Sequence, residues 1–538
     1  MNKKNIVLVV IVFVSIIVGL ALGNMLANRA KIRDTGSLRG ILSGMGANKI
    51  DEVLSLIDAK YVDSTDINTM SEDAILDLVA KLDPHSVYVP ASDLEVVNSQ
   101  LEGSFSGIGV QFNIQNDTIM IVSVISGGPS EKVGLMAGDR IVLVNDTIFT
   151  GKKITNEKVM KKLRGKADTK VKLGVKRHGT KETLKYTVTR GEIPVHSVDI
   201  AYIIAPQIGF IKVNKFAENT YSEFLNAIAD LRAKGAKKYI VDLRENSGGL
   251  MDQAINMVNE FLPKGQMIVY SEGKAYKRFE ARSDGKGSCI NAPIVVIIDE
   301  FSASASEIFA GAIQDNDRGT IIGRRSFGKG LVQQQHDLSD GSALRLTVAR
   351  YYTPSGRSIQ KPYVKGKADD YENDIMNRYL HGELDNKDSI QVADSLKFKT
   401  LKGRTVYGGG GIMPDIFVAR DTTEYTPYLN KVLNYGYVYQ FAFNYTDTNR
   451  KTLNTFKTWQ KMDQYLSSQP MLKEFTNFAA VKGVKPNSKD IAISQRLITN
   501  QIKSYIIRNT LGDIGFYPHF LKDDKTVKKA IESISKVK

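Results

Sequence analysis

Two strand–loop–helix units in the middle of the chain constrain the fold more than any other feature. Each begins with an apolar run typical of a buried strand, continues through a short polar loop and ends in a helical stretch. Strands that alternate with helices in this way predict an α/β sheet. Both loops end at a helix N-terminus, where free N–H groups favour an anion, so two adjacent loops can form an oxyanion hole. The units are Lys238–Arg244 with Glu245–Gly249 and Leu250–Leu262, and Ile294–Asp299 with Glu300–Ser306 and Glu307–Gln314.

The remaining segments differ from this core in pattern. Residues 36–100 carry apolar stripes at helical spacing, and residues 103–190 contain short β-rich runs separated by glycines. Residues 425–538 are basic, and we predict them to be helical, although the alternating aromatic residues between Tyr435 and Tyr445 also fit a strand. The predicted fold class is therefore α/β in an α+β multidomain chain: an N-terminal helical segment, a small β domain, an α/β core with a mixed sheet over 195–420, and a helical C-terminal extension. Within the core, residues 366–400 are polar and charged, which indicates an insertion or loop.

The first 30 residues predict a signal anchor or a signal peptide. Lys3 and Lys4 precede an uncharged, apolar run over residues 6–27. That run exceeds the roughly 20 residues that a helix needs to cross a bilayer. The two lysines favour a cytoplasmic N-terminus. We therefore expect the bulk of the chain outside the cytoplasm, in the periplasm or cell envelope, with residues 6–27 anchored in the inner membrane.

The composition excludes several classes of protein. Of 538 residues, 42% are hydrophobic and 24% are charged, which is typical of globular domains and not of disordered or collagen-like chains. The net charge of +15 permits an anionic partner. The basic tail does not interleave aromatic and basic residues, so we expect no nucleic-acid partner. Cys289 is the single cysteine, which excludes an intrachain disulfide framework and a multi-cysteine zinc site.

The small β domain has motifs that suit a peptide-binding module. It opens with Ser106–Phe112, where two glycines flank one apolar residue, and continues through Gly127–Leu135 and Gly138–Asn145. This order resembles PDZ domains; the alternative is a small barrel with turn glycines and no ligand. A nest of backbone N–H groups can hold a C-terminal carboxylate while the next strand pairs with the peptide. The predicted peptide-binding residues are Gly107, Ile108, Gly109 and Val110.

A serine-rich turn and a lysine supply the candidate chemistry. The run Ser302–Ser306 lies at a strand-to-helix turn, which suits a nucleophile, although helix capping alone also accounts for it. Lys329 lies between two glycines and precedes apolar residues, so we expect it to be drawn inward. Burial lowers the pKa of a lysine, and a neutral lysine can act as the general base toward a serine hydroxyl. Because glycine follows the lysine, the segment does not match a phosphate-binding P-loop.

Taken together, these motifs resemble those of the C-terminal processing peptidases, also called tail-specific proteases, which are Ser–Lys serine endopeptidases. The resemblance covers about residues 36–420, and Ser247 replaces the Pro or Gly common in its loop. The matching segments are Asp83–Ser86, the PDZ-like stretch, Asp242–Gly249, Ser302–Glu307, Ser326–Gln333 and Pro414-Asp415.

The resemblance implies a role for each matching position, with no metal and no cofactor. Asp315 matters in some members of the family, whereas a helix-end role is the alternative here. The implied nucleophile, base, base-orienting residue and backbone oxyanion donors are, in that order, Ser304, Lys329, Gln333, and Ala305 with Gly248 or Gly249.

The predicted function is a serine endopeptidase that recognises protein C-termini through the PDZ-like domain. Its expected partners are protein or peptide substrates with free C-termini and the membrane, and a homo-oligomer is left open. One alternative is an inactive or weakly active PDZ scaffold on a peptidase core. A second is a Ser–His–Asp hydrolase, for which His336 near the lysine motif is the candidate histidine.

Overall fold

The computed structural model describes residues 49–537 except residues 116, 126, 178, 391 and 392. The predicted apolar run at 6–27 lies outside these described residues. Among the helices of the described part, none is long and apolar enough to cross a membrane. The first elements are α1, α2, β1 and α3, at Lys49–Lys60, Ile67–Ala80, Val87–Val89 and Ala91–Glu102.

The glycine-punctuated segment forms a small antiparallel sheet. The strand order is β3-β4-β5-β7-β8, with β6 beside β5, and a separate two-stranded ribbon pairs β2 with β9. Alternating apolar residues such as Ile119, Ile141, Val171 and Val188 are fully buried and form its core. The elements are β2 Ser104–Gly107, β3 Val110–Gln115, β4 Thr118–Val124, α4 Pro129–Lys132, β5 Arg140–Val144, β6 Thr147–Ile148, α5 Asn156–Leu163, β7 Lys170–Lys176, β8 Leu184–Thr189 and β9 Gly191–Pro194.

The chain then enters the predicted α/β region. Strands β10 and β11 form an antiparallel pair, and β12 lies beside β11. Every residue of β11 is buried, which is typical of a strand covered on both faces. The elements are β10 Val198–Ala205, β11 Ile208–Val213, α6 Thr220–Ala233 and β12 Lys238–Asp242.

The segment from 243 to 419 contributes a parallel and an antiparallel group of strands. Strands β15, β16 and β21 are parallel, whereas β18 pairs with β1, β13 and β17 in antiparallel fashion. Helix α8 is buried along its whole length. The elements are α7 Met251–Asn259, β13 Met267–Glu272, β14 Phe279–Arg282, β15 Ile294–Ile298, α8 Ala305–Asp315, β16 Thr320–Gly323, β17 Leu331–Asp337, β18 Ala343–Tyr352, α9 Ala368–Glu372, α10 Asp374–Leu380, β19 Lys397–Lys399, β20 Thr405–Tyr407 and β21 Ile416–Phe417.

The C-terminal extension is helical, as predicted. Its core is a cluster of aliphatic and aromatic side chains from these helices, including the fully buried Phe475, Ile498 and Ile506. Tyr435 caps the end of α11, and the alternating aromatic residues from Tyr437 onward lie on α12, where Phe441 and Phe443 are buried, so the helical interpretation is confirmed. The helices are α11 Pro427–Asn434, α12 Tyr437–Leu453, α13 Trp459–Ser467, α14 Met471–Val481, α15 Ser488–Leu511, α16 Asp513–Phe520 and α17 Lys525–Ser535.

Two compact units contain these elements. Among the described residues, the first comprises those up to Leu101 together with Asp242–Ala419, and the second comprises Glu102–Val241 and those from Arg420 onward. The predicted fold class is confirmed, with N-terminal helices, a small β domain, a sheet-containing core and a helical C-terminal region. The polar segment 366–400 contains the short helices α9 and α10 and is not simply a loop. Its Arg378 is buried and donates to the carbonyls of Ser326 and Phe327 at 2.7 and 3.0 Å, which ties the segment to the core.

Candidate active site

Ser304 lies in a strained turn between strand β15 and helix α8. Its backbone has φ 54° and ψ −112°, and such a conformation costs a residue with a Cβ about 1–3 kcal/mol. The neighbouring hydroxyls are tied into the loop, since Ser302 donates to Leu243 O at 2.8 Å and Ser306 donates to Asn246 O at 2.9 Å. Both of those serines are fully buried, whereas Ser304 is half-buried. Of the three serines, Ser304 is therefore the one that a substrate can reach.

Gly248 packs closely against this turn. A Cβ at Gly248 would lie 2.7 Å from the Cβ of Ser304 and 3.0 Å from the amide nitrogen of Ala305, and its φ is +101°. The position therefore requires glycine. The Gly248 N–H donates to Asn246 Oδ1 at 2.9 Å, and Gly249 follows with φ +143°. The Ala305 N–H, at the start of α8, has no acceptor within the described residues, and a helix start favours negative charge.

The carboxylate of Glu307 joins the serine turn to the lysine loop. Its Oε2 accepts the N–H groups of Ser304 and Lys329, each at 2.8 Å. Its Oε1 accepts the N–H of Gly328 at 2.7 Å and the hydroxyl of Ser326 at 2.5 Å. The two amide nitrogens on Oε2 are therefore at most twice 2.8 Å apart. Burial raises the pKa of Glu307 to about 7, and the hydrogen bonds from its donors oppose that rise.

The hydroxyl of Tyr351, on β18, joins the same two loops from the carbonyl side. It donates to Ser304 O at 3.0 Å and to Lys329 O at 2.6 Å. Because a hydroxyl has one proton, these two acceptors share it. The Tyr351 side chain is fully buried, so water does not compete for the bond. The backbones of Ser304 and Lys329 are thus bridged on both their N–H and C=O sides.

The side chain of Lys329 has a lowered pKa. Its Nζ donates to Gln333 Oε1 at 2.9 Å. Burial lowers the pKa of Lys329 to about 8, although the negative charges of Asp83 and Glu307 oppose the fall. A lysine with this pKa is partly neutral in mildly alkaline solution and can accept a proton.

Gln333 is held in turn by the segment that precedes β1. Its Nε2 donates to the carbonyl of His85, so its Oε1 faces Lys329. The carboxylate of Asp83 shapes this segment by accepting the N–H groups of His85 and Ser86 at 2.8 and 2.9 Å. Strands β1 and β17 both pair with β18, which brings His85 to Gln333 across a large sequence separation.

In the second unit, Ile108 and Gly109 link strands β2 and β3. Their carbonyls accept the N–H groups of Ser130 and Ile125, both at 3.0 Å, which fixes the course of the link. The N–H groups of Ile108 and Gly109 make no backbone hydrogen bond with any described residue. Gly109 has φ +74°, and a Cβ there would lie 2.9 Å from Ile193 Cδ1.

The strands around this link fit a peptide site. Gly107 ends β2, opposite Gly191 of β9. Val110 begins β3, which lies at the edge of its sheet order and can therefore accept a further strand. The Cα of Arg164 lies 3.8 Å from the position of a Cβ on Gly107, and its guanidinium carbon lies 4.3 Å from the ring centroid of Phe105 on β2, so a positive charge lies beside this strand.

The structure brings most of the predicted catalytic residues together in the first unit. Ser304, Ala305 and Gly248 meet at the turn, and Lys329 contacts Gln333. His336 is exposed on β17, and the histidine that contacts this network is His85. The sequence-based alternative that places His336 in the site thus gains no support from its position.

Sequence reasoning assigns no role to Glu307, Tyr351 or His85. Glu307 had a usable signal, because Ser304-x-x-Glu307 matches the capping-box pattern at a helix start. His85 lies in the matching segment Asp83–Ser86, but its contact with Gln333 depends on strand pairing. No sequence signal marks Tyr351. Asp315 has a structural environment at the end of α8, where it is fully buried and pairs with Arg357 at 2.8 Å.

Comparisons with known proteins found similarity over three parts of the chain. The family model described as peptidase family S41 matches residues 207–372, a PDZ domain model matches residues 106–188, and a family of unknown function matches residues 428–512. The solved structure of a photosystem II D1 C-terminal processing protease is 30% identical, with 58% of this chain and 84% of that chain covered and a TM-score of 0.34.

Two curated relatives are similar over most of their length. A carboxy-terminal-processing protease of Bartonella bacilliformis is 39% identical over 323 residues, which are 58% of this chain and 72% of the relative. A CtpA-like serine protease of Staphylococcus aureus is 34% identical over 358 residues, 66% of this chain and 70% of the relative. The chain therefore belongs to the carboxy-terminal-processing proteases, a family of serine peptidases.

Proposed function

We propose that this chain is an endopeptidase whose nucleophile is Ser304 and whose general base is Lys329. The observation that carries the pairing is the single oxygen of Glu307 that accepts the N–H groups of both residues. That contact holds the two loops of the site side by side, with the accessible serine on one and a lysine of lowered pKa on the other. The intact set of contacts argues against an inactive scaffold.

The reaction follows from these positions. The neutral amine of Lys329 takes the hydroxyl proton of Ser304 as Oγ attacks the peptide carbonyl. The Ala305 N–H donates to the oxyanion that forms. A second donor comes from Gly248, whose N–H must then share or leave Asn246 Oδ1, or else from Gly249. Lys329 next protonates the leaving amine, which departs and leaves the acyl group on Ser304. Lys329 then takes a proton from the attacking water and returns it to Ser304 Oγ as the acyl group is released as a carboxylic acid.

Substrate recognition is assigned to the link between β2 and β3. The amides of Ile108 and Gly109 would hold a terminal carboxylate, next to the basic Arg164, and Val110 would begin the strand that pairs with the peptide. Gly109, with its positive φ, supplies the backbone freedom for this turn, and Gly107 ends the strand that leads into it. The substrates would be proteins or peptides with free C-termini.

The proposed location is outside the cytoplasm. It rests on the apolar run at residues 6–27 preceded by Lys3 and Lys4, which suits an anchor in the inner membrane. Fractionation of cells that express either the full chain or a chain without residues 1–30 would test this location. The full chain should be in the membrane fraction, and the shortened chain should be released from it.

Replacing either member of the dyad should remove activity without unfolding the chain. Ser304→Ala and Lys329→Ala should each lower kcat for an unfolded protein substrate by about 10⁴-fold or more, and the double variant should lose no more, because the two residues act as a unit. Lys365→Ala, at an exposed lysine, is the matched control and should cleave normally. Wild-type cleavage by Ser304→Ala or Lys329→Ala would disprove the assignment.

Activity should rise with pH. Only the neutral amine accepts a proton, so kcat should increase as the pH passes through the pKa of Lys329, about 8. Below about pH 7 the carboxylate of Glu307 becomes protonated and can then accept from only three of its four hydrogen-bond donors. This loss should also lower kcat at low pH. The measurement is kcat at saturating substrate from pH 6 to 10. Lys329→Arg, which stays protonated throughout this range, should be inactive at every pH. A wild-type kcat that falls between pH 7 and 9 would contradict a lysine base.

Blocking the substrate's C-terminus should weaken binding. A carboxylate that accepts backbone N–H groups gains about 1.5–3 kcal/mol, so amidation should raise the Kd for a peptide by about one to two orders of magnitude. Gly109→Val, which places a side chain against Ile193, should remove the preference for a free end. Gly179→Ala, a left-handed glycine with open space around it, is the control. Equal Kd values for free and amidated peptides would reject carboxylate recognition.

A further inference from the structure

Tyr371 is a buried polar residue that the proposed reaction does not use. It lies on α9, in the polar segment 366–400, and only 4% of it is exposed. Its ring meets the rings of His85 and Phe327 at centroid distances of 5.1 and 5.9 Å. Lys361 Nζ lies 3.9 Å from its ring centroid and donates to its carbonyl at 2.9 Å. The tyrosine is therefore fixed beside the loop that carries the catalytic lysine.

The hydrogen bonds around Tyr371 have a defined direction. Gln360 Oε1 accepts the N–H of Gly330 at 2.8 Å, so its Nε2 is the atom that donates to Tyr371 Oη at 3.2 Å. Among the described residues, His85 Nε2, 2.8 Å away, is the one acceptor within reach of the Tyr371 proton, so we assign Tyr371 as the donor of this bond. Burial and the charge of Lys329 lower the pKa of His85 to about 3, which keeps the imidazole neutral and able to accept. The His85 proton therefore lies on Nδ1.

The His85 segment in turn fixes the orientation of the Gln333 side-chain amide. The His85 carbonyl can only accept, so it selects the Gln333 rotamer with Nε2 toward itself and Oε1 toward Lys329. In that rotamer Lys329 donates one N–H to Gln333, and the lone pair of its neutral amine stays available for Ser304. The flipped amide would donate an N–H into that lone pair and occupy the base. The position of the His85 segment thus decides whether Lys329 can take a proton.

We propose that Tyr371 is a positioning residue for Lys329, acting through His85 and Gln333. The Asp83 carboxylate fixes the backbone N–H of His85, and the Tyr371 hydroxyl fixes its imidazole, so the residue is held at both ends. The inference rests on the proposed function, because it requires Lys329 to be the base. It also gives the segment 366–400 a part in catalysis that its polar composition does not indicate.

Tyr371→Phe tests the hydroxyl alone, because the ring that packs against Lys361 and Phe327 remains. We expect kcat to fall about tenfold, the effect of a lost buried hydrogen bond, with KM unchanged. The pH at half-maximal kcat should also move downward, because a Gln333 amide that turns away no longer accepts from the protonated lysine. The other charged groups facing Lys329 are Asp83, Glu307 and Arg345, and this variant keeps all three.

Two comparisons make the result decisive. Tyr363→Phe is the matched control. The ring centroids of Tyr363 and Tyr371 are 6.3 Å apart, but within the described residues the Tyr363 hydroxyl makes no hydrogen bond to this network. The kcat and the pH profile of this variant should therefore stay at wild-type values. The double variant His85→Phe/Tyr371→Phe should have the same kcat as the less active of the two single variants, because both changes break the same chain of hydrogen bonds.

The outcomes separate this inference from the proposed function. A Tyr371→Phe variant with a wild-type melting temperature, kcat within twofold of wild type and an unshifted pH profile would overturn the inference. A fall in kcat with an unshifted profile would mark a structural role and would also overturn it. If Ser304→Ala remains active, the proposed function fails; if Ser304→Ala is inactive and Tyr371→Phe is normal, only the present inference fails.

Discussion

The buried carboxylate of Glu307 is the interaction on which the active site depends. It accepts three backbone N–H groups and one hydroxyl, from the serine turn on one side and from the lysine loop on the other. A buried charge without such partners would cost several kcal/mol. Here four donors satisfy it, and the requirement to satisfy it draws the two loops together. The proposed nucleophile and base are therefore held side by side because the folded chain must supply hydrogen-bond donors to the buried carboxylate of Glu307.

The surrounding fold supplies each group from a separate element. Helix α8 fixes the three-residue spacing between Ser304 and Glu307, and β18 contributes Tyr351 across the two loop carbonyls. Strand β17 contributes Gln333. The positive φ of Ser304 is a local cost, and the bonds from Glu307 and Tyr351 on either side of that residue offset it. A site assembled in this way keeps the serine accessible while its backbone is fully bonded.

Local patterns predicted the parts of the site that lie within one element or loop. The strand–turn–helix pattern indicated a nucleophile within the run Ser302–Ser306, and the resemblance to C-terminal processing peptidases singled out Ser304 and paired Lys329 with Gln333, two residues that are in contact in the structure. The aromatic residues of α12 were correctly predicted as helical because the apolar positions of a helix outweighed a period of two. The contacts made by His85, Tyr351 and Tyr371 could not be predicted in this way. Each arises from strand pairing or from a short helix in a polar segment, and neither leaves a periodic signal in the sequence.

The most direct test of the account is kcat per folded enzyme for Glu307→Gln. A glutamine presents one acceptor and one donor, so two of the four donors lose their acceptor and the two loops should separate. The account predicts a loss of at least about a hundredfold in kcat with a folded chain. Glu300→Gln is the matched control and should retain activity, because Glu300 is a buried carboxylate in the loop that precedes α8 and pairs with Arg324 instead of the catalytic residues. A Glu307→Gln variant with wild-type kcat would contradict the account.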